Sequence, residues 1–422
     1  MNHQSSNRAF FKEKQDTISN QQVLLFGESL TTEYTILNLA GLGFEHILHF
    51  SPTIKPKTHS VLAPLSQNTR WMYNVSDTMN TYLPFVQYEA FNSQVLNHIV
   101  SEFNPTIVVD TSQDYGEKIK HARLAQKLSI PYIGVTTTPL EIILHHTPIR
   151  TQQTAQKYTM QMLGGTLLAD EVRKHTVLFS ENEQITTDTQ HISFAYDHAT
   201  KKPIRWKAKP LNSVGIVGAG GIGTFTALAE VLKGTKNICI YDPDTVEIQN
   251  LNRQMLYAPA IGKSKAETLK KRLEQINQHI HIEAYTQRFE DAQKQPFDHL
   301  FCCTDTYQSR LLVDEYATQT QTPLLEGGCT PTLGVVSQYV PKFTQTITQK
   351  RNLAELAQQE KDTPSEPRSC ATQANPSVIT PNAVIGILLS LYANYQIDDQ
   401  NHVTYLQKNL NFNSLLTKKF YA

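Results

Sequence analysis

Twice along this chain, from Val23 to about Ile133 and again from Val214 to about Val340, short apolar runs alternate with stretches of helical character. That alternation is the pattern of a parallel sheet covered by helices, because a parallel strand needs a crossover before the next can pair beside it. In the later half SVGIVGAGGIG reads as a buried strand ending in a glycine turn, TFTALAEVLKG as a helix and NICIYD as the next strand. A further helix lies in KSKAETLKKRLEQIN, where Ala266, Leu269, Leu273 and Ile276 share one face, and the strands HLFCCTD and TPLLEGG follow it. The earlier half repeats the order with QVLLFGE, TTEYTILNLAGLG, HILHFS, PTIVVDT and IPYIGV. The expectation is an α/β protein of two Rossmann-like domains in tandem, residues 1–206 and 207–422, related by internal duplication. A chain of 422 residues suits that reading, being longer than one core usually serves.

Some stretches are less regular. Residues 60–100 read as helical in their second part. Residues 150–206 read as a helix, AQKYTMQMLGGTLLADEVRKH, then a hairpin, ISFAYDHATKKPIRW, with the Lys/Pro-rich KKPIRWKAKPLN as linker. The polar residues 344–369 read as a mobile loop with a helical piece.

Charge leaves the partner open. The 38 basic residues balance 38 acidic ones, so no net field draws the chain to nucleic acid or an anionic membrane. No apolar run approaches the roughly 18 residues of a membrane span, and the start MNHQSSNRAFFKEKQ has no apolar core of a signal peptide, so a cytoplasmic protein is expected. The five cysteines contain no C-x-x-C pair, which argues against a disulfide framework and a four-cysteine zinc site. Cys239, Cys302 and Cys303 lie in apolar runs and read as buried small hydrophobes, and Cys329 reads as a buried turn cysteine.

The glycines of Gly218-Ala219-Gly220-Gly221-Ile222-Gly223 stand between a strand and a helix, where backbone N–H groups and the helix N-terminus can approach a phosphate. Asp242 ends the next strand, where a carboxylate can accept hydrogen bonds from ribose hydroxyls. To this point NAD and ATP are both open. The run then continues with Asp244, Asn250-Leu251-Asn252-Arg253-Gln254, Ile261-Gly262-Lys263-Ser264-Lys265 and Thr304-Asp305. This ordered set, continuous over about residues 212–340 and resuming at PSVITPNAVIGILL, resembles the ubiquitin-activating-type superfamily that includes ThiF, MoeB and HesA.

The resemblance implies an enzyme that uses ATP and Mg²⁺ to cap a carboxylate with AMP. Arg253 and Lys265 would contact the phosphates, Asp305 would hold the metal, Asp242 would bind ribose, and Asn250 and Gln254 would complete the pocket. Asp244 joins this set as the second acid of the D-x-D turn, where it can also cap backbone N–H groups. The chemistry fits the residue types, because bringing a carboxylate to a triphosphate needs cations around the equatorial and leaving oxygens. Where many members carry Asn after the T-D aspartate, this chain has Thr306. The paired cysteines of zinc-bearing members are missing, so no zinc is expected.

The earlier half places Ser51 where Asp242 stands, replaces the glycine loop with Gly27-Glu28-Ser29-Leu30, and sets Thr111 or Asp110 opposite Asp305. It is expected to be a degenerate domain that binds no ATP and can recognise a substrate or partner, giving an internal pseudo-dimer and leaving homodimerisation open. Its Asn7-Arg8-Ala9-Phe10-Phe11 resembles the entry segment whose arginine reaches the partner's ATP, which would make Arg8 catalytic. Cys370, close to where some relatives carry a nucleophile, is a candidate to capture the acyl adenylate as a thioester. The implied acyl partner is a ubiquitin-like or sulfur-carrier protein or a ribosomally made precursor peptide. The alternatives are a NAD-dependent oxidoreductase, which has no use for the converging cations, and a non-catalytic leader-peptide or partner-binding module.

Overall fold

The structure, a computed structural model, describes residues 11–51, 61–62, 85–90, 100, 102–138, 141–150, 158–180, 189–193, 196–197, 202–203, 211–258, 260–331, 333–362, 377–393 and 408–411. In the first half these form α1 (Lys14–Ser19), β1 (Gln22–Phe26), α2 (Leu30–Leu42), β2 (His46–Ser51), β3 (Phe85–Ala90), β4 (Ile107–Asp110), α3 (Tyr115–Leu128), β5 (Tyr132–Thr137), β6 (Glu141–His145), α4 (Tyr158–Ser180) and β7 (Gln190–Ser193). A two-stranded hairpin, β8 (Tyr196–Asp197) with β9 (Lys202–Pro203), follows as the sequence suggests.

The second half comprises β10 (Ser213–Val217), α5 (Gly221–Lys233), β11 (Asn237–Tyr241), α6 (Lys265–Ile276), β12 (His281–Tyr285), β13 (His299–Cys302), α7 (Tyr307–Thr320), β14 (Leu324–Cys329), β15 (Leu333–Tyr339), α8 (Ile347–Arg351), α9 (Leu353–Asp362), α10 (Ile379–Ala393) and β16 (Lys408–Asn411).

The two sheets have one topology. Their orders are β3-β2-β1-β4-β5-β6-β7 and β12-β11-β10-β13-β14-β15-β16, with five parallel strands joined to the last two by two successive antiparallel pairings in each. The central strands are buried almost end to end, as strands covered on both faces must be. Correspondence extends to the caps. Helices α2 and α5 each have 13 residues and stop at a left-handed glycine, Gly43 with φ 95° and Gly234 with φ 84°. Helices α3 and α7 start on side-chain caps, Asp114 and Thr306.

Four helices fill the space between the sheets. One core joins residues of α2 and α4 to residues of α5 and α10. Tyr34 of α2 and Phe225 of α5 meet across the halves with ring centroids 6.2 Å apart. Within each half the helix pair packs backbone to backbone through a glycine. A Cβ on Gly386 of α10 would lie 2.5 Å from the Ile222 carbonyl oxygen and 2.8 Å from Phe225 Cβ, and Gly165 of α4 meets the Thr31 carbonyl and Tyr34 in the same way. The outer faces are covered by α3 in the first half and by α7 in the second.

Two sequence expectations are corrected. Phe85–Ala90, inside the stretch read as helical, is the parallel edge strand beside β2; its aromatic and β-branched residues suit a pleated surface, and pairing decides the matter. Within the stretch read as a mobile loop with a helical piece, the helical part is larger than expected: α8 and α9 take up nearly all of residues 347–362. They are docked by buried Ile347 and Leu353, and Asp314 of α7 accepts the Ile347 and Thr348 N–H groups at 3.1 and 2.8 Å. Residues 363–369 and the linker residues 204–210 fall outside the described set.

Replacing Gly386 with Ala should destabilise the fold by about 1–3 kcal/mol, because the new methyl meets backbone that cannot yield cheaply. Urea unfolding measures this, and a midpoint equal to wild type would mean that α5 and α10 are not in backbone contact.

Candidate active site

In the second sheet the strand order reverses at β10, between β11 and β13, and ligands of open α/β sheets bind in the crevice outside the carboxyl ends at such a point. Three loops meet there. Gly218, with φ 94°, follows β10, and a Cβ on it would stand 2.9 Å from the Cys303 oxygen and 3.1 Å from the Thr304 nitrogen beyond β13. Gly223 packs against the Gly218 carbonyl and Gly221 against Asn382 of α10. Gly220 differs: the nearest atom to its would-be Cβ is Gln254 Nε2 at 3.9 Å, so space remains over the loop. Gly220 is also the N-cap of α5 and offers no side chain to the first helical N–H groups.

Asp242 ties this loop to the end of β11. Its buried carboxylate accepts the Ala219 N–H at 2.6 Å and the Asp244 N–H at 2.9 Å. Burial pushes the carboxyl above its ordinary pKa, and the Lys265 charge and the two N–H groups pull the other way. The Tyr257 hydroxyl donates to the Ala219 carbonyl from beneath, and Thr224 Oγ1 donates to the Gly220 carbonyl at 2.7 Å.

Lys265 is not a solvated lysine at the start of α6. Only 8% of it is exposed, its Nζ pairs with Asp244 Oδ2 at 2.9 Å, and its backbone N–H donates to the Asp244 carbonyl at 3.0 Å. Asp244 is otherwise open to solvent. Arg253 lies between two 3₁₀ turns, Ile248–Asn250 and Met255–Tyr257, and donates from Nη1 to Gln249 O and Asn252 Oδ1, both at 3.1 Å. Asn250 caps the turn, its Oδ1 accepting the Glu247 N–H at 3.1 Å. Gln254 is 3% exposed, and its Oε1 has no hydrogen-bond partner among the described residues. Gln254 thus brings its Nε2 to the open glycine and keeps an acceptor, Oε1, that no described residue uses.

Asp305 stands at the turn between β13 and α7, exposed and without a hydrogen bond or ion pair among the described residues. Thr306 is occupied as the N-cap of α7, accepting from Ser309 N at 3.2 Å, which accounts for a threonine there. Behind the turn, Arg310 donates to the Thr304 carbonyl at 2.7 Å and pairs with Glu326, which also takes Arg351 of α8. Sequence reasoning missed Arg310, Glu326, Arg351, Tyr257 and Asn382. Each has a partner at least 16 residues away, with Arg310 bonding the nearer Thr304 as well, and no local spacing marks the distant pairs. Cys329 ends β14, and burial pushes its thiol up to about 12 although Arg253 and Arg310 draw it down, so it stays protonated at neutral pH.

In the first half Gly27 repeats the positive φ of Gly218, at 133°, and Ser51 stands where Asp242 follows β11. The counterpart of Asp305 is Gln113, not Thr111 or Asp110, because Asp114 and Thr306 cap matching helices. Thr111 matches Cys303, both backbone N–H groups bonding the end of the central strand. Asp110 is buried and accepts from Ser112 N at 2.7 Å, His121 Nδ1 at 2.9 Å and the Tyr132 hydroxyl at 3.1 Å. Arg8 and Cys370 lie outside the described residues, and among the described residues no group of three or more His, Cys, Asp or Glu could hold a metal ion. No described helix is long and apolar enough to cross a membrane.

A family model described as the ThiF family matches residues 207–421. The molybdopterin-synthase adenylyltransferase of Haemophilus influenzae is 33% identical over 149 residues, covering 34% of this chain and 60% of that protein. The sulfur carrier protein adenylyltransferase of Thermus thermophilus is 35% identical over 120 residues, covering 27% of this chain and 44% of that protein. This chain therefore spans 60% and 44% of these two relatives' lengths, less than two thirds of each. The solved structure of E. coli MccB with ATP is 20% identical, with a TM-score of 0.37, over 47% of this chain and 64% of that one. With over half its length inside the family match and the glycine loop, Asp242, Arg253, Lys265 and Asp305 in order, the chain belongs to the ThiF family.

Proposed function

We propose that this protein transfers AMP from ATP to the C-terminal carboxylate of a small ubiquitin-like or sulfur-carrier protein and releases pyrophosphate. The observation that carries the reading is the open Gly220 loop, bordered by Gln254, whose Oε1 has no partner among the described residues, and by the Asp242–Asp244–Lys265 chain. The names of the curated relatives support a carrier protein over a peptide. Residues 207–422 would be the active domain and residues 1–206 its degenerate partner.

Each residue has a place in the reaction. Gly218, Gly220, Gly221 and Gly223 bring N–H groups to the phosphates. Asp242 already accepts two N–H groups, and a carboxylate with about four acceptor sites can still take ribose hydroxyls. Lys265, released from or shared with Asp244, and Arg253 neutralise the anions brought together when the carboxylate meets the α-phosphorus. Asn250 holds the turn, and Gln254 faces the nucleotide. A magnesium ion, for which the free carboxylate of Asp305 is suited, would supply positive charge to the triphosphate oxygens.

Arg8 is proposed as a further cation on the resemblance of its segment, and the first described residue after it, Phe11, belongs to the following contacts. Phe11 lies under the Arg173 guanidinium at 5.5 Å, Arg173 pairs with Asp170 at 2.7 Å, and Asp170 accepts from Thr380 at 3.4 Å. Ser377, three residues before Thr380, accepts from Asn252 beside Arg253 at 2.8 Å.

ATP–pyrophosphate exchange tests the reading with a panel of small carrier proteins ending in Gly-Gly and short precursor peptides. Exchange should require the carboxylate, and Arg253→Ala or Lys265→Ala should lower it by about 10²-fold or more with the urea midpoint kept. Exchange with a peptide alone would move the substrate class; NAD binding without exchange would overturn the proposal. Arg8→Ala should slow the same exchange with folding unchanged, and unaltered kinetics would remove Arg8 from the site. Cys370→Ser should still form the acyl adenylate but no covalent adduct, if that thiol is the acceptor.

A titration checks the electrostatics. Because burial raises the Asp242 carboxyl, its contribution to stability is present at low pH and is lost as pH rises through its folded value. Lys265→Met removes the charge that holds this value down, so carbon-13 NMR should show the Asp242 carboxyl titrating at higher pH in the variant.

A further inference from the structure

The twelfth residue of helix α2 is Gly41, whereas the twelfth residue of the matching helix α5 is Leu232. The difference falls where the halves touch. A Cβ on Gly41 would stand 2.6 Å from the backbone oxygen of Asn252 and 2.5 Å from Ile379 Cδ1, closer than real Cβ atoms come. First-half backbone therefore lies directly on the turn that precedes Arg253. Asn252 is fully buried; its Nδ2 donates to the Ser377 carbonyl at 2.8 Å, and its Oδ1 accepts from Arg253 Nη1 at 3.1 Å. One residue is thus held by α2 from the first half, fastened to the entry of α10, and bonded to the guanidinium.

We propose that Gly41 and Asn252 are positioning residues for Arg253, so that the first half acts on the site by buttressing this turn. The inference rests on the adenylation reading only in taking Arg253 to meet the triphosphate. A guanidinium already aimed by Asn252 loses less side-chain freedom on meeting an anion, and small misplacements of such a group cost rate out of proportion to their size. The smallest side chain that tests the contact is alanine.

The full-length protein carrying Gly41→Ala or Asn252→Ala, each alone and with Arg253→Ala, serves the test. Hydrogen exchange read by mass spectrometry should rise about fivefold or more across residues 248–256 in Gly41→Ala, while residues 299–320 stay unchanged. Both single variants should weaken ATP binding in calorimetry and lower ATP–pyrophosphate exchange about tenfold, and should add less than about twofold once Arg253 is already alanine. Unchanged protection of residues 248–256, or the same loss with and without Arg253, would overturn the buttress. Should the wild type bind ATP yet exchange no pyrophosphate with any carboxylate, the adenylation reading fails, and hydrogen exchange with the ATP-affinity cycle still decides the buttress.

Discussion

Close approach of backbone to backbone, which only glycine permits, is the constraint on which this molecule depends. Gly386 and Gly165 let α10 and α4 settle onto α5 and α2, and Gly41 lets the first half reach the turn before Arg253. Gly218 lets the glycine loop lie against the end of β13. Replacing any of these atoms' absence with a methyl forces elements apart, because the opposing group is backbone and packed interiors have no slack. The core between the sheets, shared by four helices, is the consequence.

On this frame the two halves have taken different chemistry with the same topology. The second half keeps an open Gly220 and a buried Asp242 that ties the loop to its strand. The first half has Glu28 and Ser29 after its glycine, and its α2 starts on a Ser29–Thr32 capping box that uses the helix N-terminus for itself. At the matching position of α3 and α7 both halves carry a buried cation. Arg310 bonds the strand end at Thr304 and the carboxylate of Glu326, whereas Lys118 bonds Val135 O at 2.8 Å and Thr136 Oγ1 at 2.6 Å, with burial pushing its pKa down to about 8. The architecture is symmetric and the electrostatics are not.

Electrostatics also link the site to its surroundings. Arg351 of α8 and Arg310 of α7 share Glu326, and Arg310 reaches the carbonyl next to Asp305, so the α8–α9 segment and the exposed carboxylate lie on one hydrogen-bonded path. A buried carboxylate between two guanidiniums is costly to desolvate, and losing Glu326 would leave two cations, one of them buried Arg310, without their shared partner. The path therefore favours a single arrangement of the turn.

The sequence by itself determined the strand and helix order, the duplication and the ordered set of site residues, because apolar periodicity and glycine turns are local signals. It also placed Ser51 against Asp242 correctly, since each comes one residue after its strand's last pair with the central strand. Tertiary structure alone decided the rest. Phe85–Ala90 became a strand because β2 offered an edge, and residues 347–362 became helices because Asp314 and a buried apolar face held them. Lys265 became a buried, paired cation, and Gln113 took the place opposite Asp305, where matching helix caps set the register. Contacts such as Gly41 with Asn252, or Arg310 with Glu326, join residues distant in the chain, and nothing in local spacing encodes which distant backbone will arrive.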